Sequence, residues 1–187
     1  MRRFILTGTP GAGKTAILRQ LELDGFGAVE EAATDVIALE QARGVAEPWM
    51  RPAFIDAVVD LQRERQLRAA EMRGDLQFHD RSAICTAALA DYLGYPRSVV
   101  LQRELERIEQ AKIYQRQVFF VRSLGFVTPS EARRISLEKA LRFEAIHEQV
   151  YRAFGYELVS IPPGTLAERV VAIERFAGAT PPPRDLR

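Results

Sequence analysis

Three glycines, a lysine and two threonines stand close together in GTPGAGKT, residues 8–15. The spacing is Gly, four residues, then Gly-Lys-Thr, which is the phosphate-binding P-loop motif. Glycines let the backbone curl around an anion and approach it closely, because no Cβ intervenes. Lys14 supplies a charge for the β- and γ-phosphates, and Thr15 supplies a hydroxyl for Mg²⁺. The stretch therefore predicts a triphosphate site; the alternative is a glycine-rich turn that binds nothing.

The elements around the motif are those that it requires. Residues 3–7 read as a short strand, and KTAILRQLEL, residues 14–23, has apolar residues at helical spacing. The helix that begins near Gly13 adds its unpaired N–H groups and the positive end of its dipole. The residues expected to bind the nucleotide are Gly8, Thr9, Pro10, Gly11, Ala12, Gly13, Lys14, Thr15 and Ala16. ATP is the expected nucleotide, and GTP remains open.

Length and composition indicate one globular domain. The chain has 187 residues, 47% of them hydrophobic, and a net charge of +1. We expect a domain over residues 1–177 and a Pro-rich tail, GATPPPRDLR, over 178–187. The near-zero net charge argues against a nucleic-acid partner. The sequence shows neither an apolar run of membrane-spanning length nor a signal-peptide pattern, so we expect no membrane association. A single cysteine excludes an internal disulfide and favours a reducing, cytoplasmic setting. The oligomeric state stays open.

Strand patterns alternate with helix patterns along the rest of the chain. The expected strands are FGAV (26–29), LQFHD (76–80), QVFFV (117–121) and YELVSI (156–161). The expected helices cover 52–73, 82–93, 98–111, 137–154 and 165–177. Such alternation predicts a five-stranded parallel sheet covered by helices on both faces, a three-layer α/β/α fold. Ligands of such sheets bind beyond the carboxyl ends of the strands.

Charged residues follow three of these strands. Glu30 and Glu31 follow the second strand, Asp80 and Arg81 follow the third, and an arginine-containing segment, SLGFVTPSEARRIS (123–136), follows the fourth. Phosphoryl transfer needs a carboxylate for the metal, a base for the acceptor hydroxyl and cations for the spreading charge.

Each of these residues also has a purely structural interpretation. Asp80, or Ser82 instead, is suited to cap the following helix. Glu30 and Glu31 are suited to a solvated helix start, and Arg133 and Arg134 to plain surface charges.

Three further residues favour packing over chemistry. His79 stands beside Asp80, but no second histidine or cysteine is close in sequence to suggest a metal site. His147 lies within an expected helix and is interpreted in the same way. Trp49, in EPWMRP, is better suited to packing than to stacking on a base.

Several segments together resemble one family. GTPGAGKTAIL, GFGAVEEAATDVI, EPWMRPAFIDAVVDLQRERQ, FHDRS, IYQRQVFFV and SEARRISLEKALRFEAIHEQVYRAFGYELVSIP are similar to small AAA-type predicted ATPases or kinases. These resemble the nicotinamide riboside kinase domain and, more distantly, deoxynucleoside and thymidylate kinases. The resemblance runs from Phe4 to about Ala177 and implies a P-loop kinase-like fold.

The resemblance also implies roles for the residues at the strand ends. Asp80 would lie near Mg²⁺ and Arg81 near substrate or phosphate. Glu30 or Glu31 would face the acceptor, and Arg133 and Arg134 would belong to an arginine lid. Such lids usually carry an Asp shortly before the arginine, where this chain has Glu131.

The resulting assignment is as follows: catalytic Lys14, Asp80, Glu31 and Arg134; nucleotide-binding Arg133 with the loop; substrate-binding Glu30, Glu31 and Arg81; metal-binding Thr15 and Asp80.

Three functions are compatible with these residues. The first is a Mg²⁺-dependent kinase that transfers the γ-phosphoryl group of ATP to a small, nucleoside-like hydroxyl acceptor. The second is a nucleotide-dependent switch or slow NTPase without such an acceptor, and the third is an inactive nucleotide-binding module. The absence of an Asn-Lys-x-Asp motif disfavours a Ras-type switch. The absence of repeated AAA+ sensor features disfavours a remodelling motor. Carboxylates at two strand ends and an arginine segment favour the kinase.

The arginine segment yields a prediction from the sequence alone. Changing Arg134 to Ala should lower kcat by up to about 10³-fold while KM for the nucleotide changes little, as for an arginine that acts on the transition state. Arg133→Ala is the matched variant and should be nearly silent, because adjacent residues at a helix start point in different directions. Steady-state kinetics of both variants test this prediction. If both variants turn over at the wild-type rate, the segment 123–136 does not act as an arginine lid.

Overall fold

Five short parallel strands form the centre of the protein. A computed structural model describes residues 1–72, 74–123 and 137–179. The strands are β1 (Arg2–Thr7), β2 (Gly27–Val29), β3 (Leu76–Asp80), β4 (Gln117–Val121) and β5 (Glu157–Ile161). Their order in the sheet is β2-β3-β1-β4-β5, and every neighbouring pair is parallel. The strand that precedes the glycine loop therefore lies in the middle.

Helices cover both faces of this sheet. They are α1 (Lys14–Leu23), α2 (Ala33–Ala42), α3 (Ala53–Ala69), α4 (Ala83–Leu93), α5 (Val99–Gln110), α6 (Leu137–Ala153) and α7 (Leu166–Ala177), with a 3₁₀ helix at Pro48–Met50. Helices α1 and α7 pack on one face, where Phe4 and Leu6 of β1 are buried. Helices α2 to α6 contribute to the core on the other face, which holds Ile5. The three-layer α/β/α fold with five parallel strands is confirmed.

Several element boundaries agree with the sequence prediction, and one is wrong. The bounds of α1, β3 and β4 are those expected, but the helix expected over 52–73 ends at Ala69. The N–H groups of Glu71 and Met72 bond only three residues back, so the chain tightens into a turn before Gly74. Met72 is consequently 43% exposed and does not share the buried face of α3. Helix α2 was not predicted.

Each polar side chain of β3 makes at least one contact, although Nε2 of His79 and Oδ1 of Asp80 are buried without a hydrogen-bond partner among the described residues. All five residues of this strand are buried. The amide nitrogen of Gln77 donates to the Ala69 carbonyl, and the His79 ring lies edge-on to Tyr114. Asp80 accepts a hydrogen bond from the hydroxyl of Thr15. These contacts explain how a strand less apolar than usual lies in the interior.

At Gly8, the backbone at the end of β1 comes close to the backbone at the end of β4. Gly8 has φ +127°, and a Cβ built there would lie 2.2 Å from the carbonyl oxygen of Val121 at the end of β4. Any side chain would push β1 and β4 apart just where the glycine loop begins.

Replacing Gly8 by Ala should therefore destabilise the protein by more than the cost of placing alanine at a positive φ. Gly44 is the matched control, since its φ is +90° and a Cβ there would meet nothing within 4 Å. We expect Gly44→Ala to lower the free energy of unfolding by about 1–2 kcal/mol. Gly8→Ala should lower it by roughly a further 1–3 kcal/mol through overpacking. Equal losses in urea unfolding would mean that the backbone contact at Gly8 is not restrictive.

Candidate active site

The glycine loop forms an open cradle at the start of α1. Gly11 and Gly13 have φ of +81° and +86°, conformations that other residues rarely adopt. Gly13 is the N-cap of α1, no side chain caps this helix end, and its first turn carries no acidic residue. The N–H groups and the positive dipole end are thus available to an anion.

Lys14 folds back across the loop. Its Nζ donates to the carbonyl oxygen of Thr9 at 2.7 Å, and its side chain is buried. The hydroxyl of Thr9 is itself buried and finds no hydrogen-bond partner among the described residues. Both groups belong to the nucleotide-binding set expected from the motif.

Thr15 and Asp80 lie side by side. The Thr15 hydroxyl donates to Oδ2 of Asp80 at 3.2 Å, whereas Oδ1 is buried and has no hydrogen-bond partner in the described part of the chain. Burial raises the pKa of the Asp80 carboxyl, although Lys14 and then Arg81 act in the opposite direction. Mg²⁺ commonly takes one or two protein oxygens and completes its shell with phosphates and water. The unpartnered oxygen beside a hydroxyl fits such an ion.

Capping does not explain Asp80. This residue lies within β3, and the N-cap of α4 is Ser82. The Ser82 hydroxyl makes no capping hydrogen bond and instead contacts the buried hydroxyl of Tyr151 at 3.2 Å.

The two neighbouring glutamates face different ways. Oε1 of Glu31 lies 3.0 Å from Nε of Arg81, and both side chains are largely buried and line the same cavity. Glu30 is instead exposed and pairs with Arg19 of α1. The structure therefore brings Glu31, Arg81 and Asp80 together and leaves Glu30 outside this group.

Arg81 occupies a strained backbone position. Its φ is +73°, unusual for a residue with a side chain, and its N–H donates to the Leu6 carbonyl at 3.0 Å. Such conformations cost about 1–3 kcal/mol and persist where surrounding contacts hold them. Burial alone would lower the pKa of Arg81, but its neighbours, Glu31 foremost, raise it overall. Arg81 therefore remains a cation.

A cavity of about 650 Å³ opens beside the loop. Pro10, Glu31 and Arg81 are among the residues that line it. Its remaining walls are mainly apolar and aromatic, and include Ile37, Trp49, Phe54, Val58, Leu89, Tyr92 and Phe143. Trp49 thus packs against the core and also lines the cavity. Volume and lining are typical of a small-molecule site.

Gln62 is a polar residue in this wall that sequence reasoning missed. Its Oε1 accepts a hydrogen bond from the Thr86 hydroxyl at 2.8 Å, which leaves its NH₂ group to donate elsewhere. Gln62 lies in the middle of α3 and Thr86 in the first turns of α4. No short motif marks either residue, because packing between the two helices creates the pair.

Both histidines are buried. The Nδ1–H of His147 donates to the Phe143 carbonyl at 2.9 Å. Burial lowers the pKa of each ring to about 3, with a further contribution from Arg3 at His79 and from Arg81 at His147. Both rings are therefore neutral at pH 7, in line with the packing role expected from the sequence.

Other expectations lie outside the described residues. Arg133 and Arg134 fall in the segment 124–136, and most of the expected tail falls in 180–187. None of the described helices combines the length and hydropathy that crossing a bilayer requires.

The fold and the loop define a P-loop protein with a kinase-like α/β fold. A family profile described as an AAA domain matches residues 3–169. The chain belongs to this family. No curated protein matches it.

Solved structures share its fold at low sequence identity. NadR in complex with NAD and AMP-PNP is 18% identical with a TM-score of 0.68, and the match covers 96% of this chain and 50% of that one. NadR in complex with NR is 17% identical with a TM-score of 0.66, covering 98% and 52%. Deoxyadenosine kinase from M. mycoides with bound dATP is 13% identical with a TM-score of 0.61, covering 95% and 100%. The chain thus spans about half the length of the NadR chains.

The contact between Thr15 and Asp80 leads to a prediction. Asp80→Asn should retain nucleotide binding, weaken the dependence on Mg²⁺ and lower turnover by about 10²-fold or more, as expected for loss of one electrostatic group. Asp91, an exposed carboxylate paired with Arg97, provides the control variant Asp91→Asn. The measurement is the turnover rate of both variants and of the wild type as a function of Mg²⁺ concentration. Wild-type magnesium dependence in Asp80→Asn would exclude Asp80 as a metal ligand.

Proposed function

We propose that this protein is an ATP-dependent small-molecule kinase that uses Mg²⁺ and phosphorylates a hydroxyl of a nucleoside-like acceptor. The observation that carries the proposal is the position of the Glu31–Arg81 pair, which lines a cavity of about 650 Å³ together with Pro10 of the phosphate loop. A cavity of this size beside the phosphate loop offers room for a small acceptor.

The donor half of the proposal rests on the loop. The N–H groups at the start of α1 and the Lys14 ammonium would bind the phosphates. Thr15 and Asp80 would hold Mg²⁺, which would neutralise charge on the phosphate oxygens. GTP remains a possible donor, since the described residues contain no evident group specific for adenine.

The acceptor half rests on Glu31 and the cavity. Glu31 would take the proton of the acceptor hydroxyl, while the acceptor oxygen forms its bond to the γ-phosphorus. The bond between that phosphorus and the β–γ bridging oxygen breaks, and ADP leaves. Arg81 would hold Glu31 in place through their ion pair, and would stabilise charge on the transferring group.

The walls of the cavity indicate the kind of acceptor. Apolar and aromatic side chains suit a planar ring, and the NH₂ group of Gln62 offers a directed hydrogen bond. NadR in complex with NR and a deoxyadenosine kinase with bound dATP have the same fold. We infer that the acceptor is a nucleoside or a close analogue. We also infer that the protein acts in the cytoplasm, where the buried Cys85 would stay reduced.

The donor half is tested by calorimetric titration of Mg²⁺–ATP and Mg²⁺–GTP. Wild-type protein should bind at least one of them, and Lys14→Ala should lose this binding while it remains folded. Unchanged affinity in the variant would refute the phosphate site.

The acceptor half is tested by transfer of label from γ-³²P-ATP to a panel of ribonucleosides, deoxynucleosides and nicotinamide riboside. We expect Glu31→Gln to lower transfer by about 10²-fold or more, the usual range for a lost general base, without loss of ATP binding. Glu30→Gln is the neighbouring comparison and should transfer at close to the wild-type rate. If the protein instead hydrolyses ATP to ADP and phosphate at a rate that no acceptor in the panel alters, it is a slow NTPase.

A further inference from the structure

Arg169 contacts the phosphate loop, although it is far from it in sequence. It belongs to α7 and is only 5% exposed. Its Nη1 donates to the carbonyl oxygen of Ala12 at 2.8 Å, and its Nη2 donates to the carbonyl oxygen of Arg122 at 3.1 Å. One planar guanidinium thus joins the loop to the chain just beyond β4.

The bond to Ala12 controls the orientation of one loop peptide. The peptide between Ala12 and Gly13 is trans, so the carbonyl oxygen of Ala12 and the N–H of Gly13 point in opposite directions. A donor that holds this carbonyl therefore also fixes the direction of the Gly13 N–H, opposite to the guanidinium. It also polarises that N–H, because linked hydrogen bonds strengthen one another. Backbone N–H groups of this loop are the ones that P-loops use for phosphates.

The charge of Arg169 has no carboxylate partner among the described residues. Burial alone lowers the pKa of its guanidinium, with no contribution from a charged neighbour, and its Nε is buried without a hydrogen-bond partner in this part of the chain. A buried cation without a counterion is costly. Bound phosphates would supply the missing negative charge across the loop.

Gly13 and Arg169 are fitted closely to each other. A Cβ at position 13 would lie 3.1 Å from Nη1, tighter than ordinary contacts, in a residue whose φ is +86°. Arg122 at the other end is held in turn, because its Nη1 donates to Glu144 of α6 at 2.6 Å. The loop, β4 and α6 are therefore connected through two arginines.

We propose that Arg169 is a positioning residue of the phosphate loop, which aims the Gly13 N–H at the bound phosphates and takes those phosphates as its counterion. The proposal rests on the nucleotide-binding half of the proposed function and is independent of the acceptor.

The experiment measures AMP-PNP binding in the presence of Mg²⁺, together with the melting temperature of the ligand-free protein, in three variants. Arg169→Met removes the charge and both hydrogen bonds. Arg169→Lys keeps the charge but cannot donate to both carbonyls in the same planar geometry. Arg2→Met is the control, because Arg2 also ties the sheet to α7 by donating to the Ala177 carbonyl, at the opposite end of that helix.

We expect Arg169→Met to bind AMP-PNP at least tenfold more weakly, with a ligand-free melting temperature at or above that of the wild type. Arg169→Lys should lose affinity several-fold. Arg2→Met should melt at a lower temperature and bind AMP-PNP as the wild type does. A merely structural role for Arg169 would give the Arg2 pattern instead.

The outcomes separate the two proposals. If wild-type protein fails to bind AMP-PNP, the nucleotide site itself is wrong. If wild-type protein binds and Arg169→Met binds equally well, only the role of Arg169 is refuted. Should Arg169→Met fail to fold, wild-type affinity in Arg169→Lys would overturn the proposal and a several-fold loss would support it.

Discussion

The register between β1 and β3 is the constraint on which the candidate site depends. It sets Leu6 opposite Asp80, and the ladder continues with the Arg81 N–H bonded to the Leu6 carbonyl. Because the glycine loop leaves β1 two residues after Leu6, this register brings Asp80 within 3.2 Å of the Thr15 hydroxyl. A shift by one residue would turn Asp80 to the other face of the sheet. The oxygens proposed to bind the metal and the phosphate loop are thus placed by backbone hydrogen bonds.

The loop is held by contacts near both of its ends. Gly8 lies against the Val121 carbonyl, and Arg169 binds the carbonyl of Ala12. Groups placed in this way leave the inner N–H groups available to a ligand. Such preorganisation is effective because the dipoles need not reorient when charge arrives.

Several charged side chains of the candidate site are buried. Lys14, Asp80 and Arg81 are all buried or nearly so, and Glu31 is ion-paired to Arg81. In a low-dielectric interior such groups interact more strongly than at the surface. The raised pKa of Asp80 and the strained φ of Arg81 are costs of a kind that clusters at functional sites.

The amino-acid sequence by itself determined the local elements and the phosphate site. The P-loop, the bounds of α1, β3 and β4, and the parallel three-layer sheet follow from short-range glycine spacing and apolar periodicity. Local pattern failed at the end of α3, where a turn before Gly74 replaces the last helical residues, and at α2. Only the tertiary structure decided that Glu31 rather than Glu30 faces the cavity, that Gln62 meets Thr86, and that Arg169 reaches Ala12. These contacts join residues far apart in the chain, so their geometry comes from how the helices pack on the sheet, which no local pattern encodes.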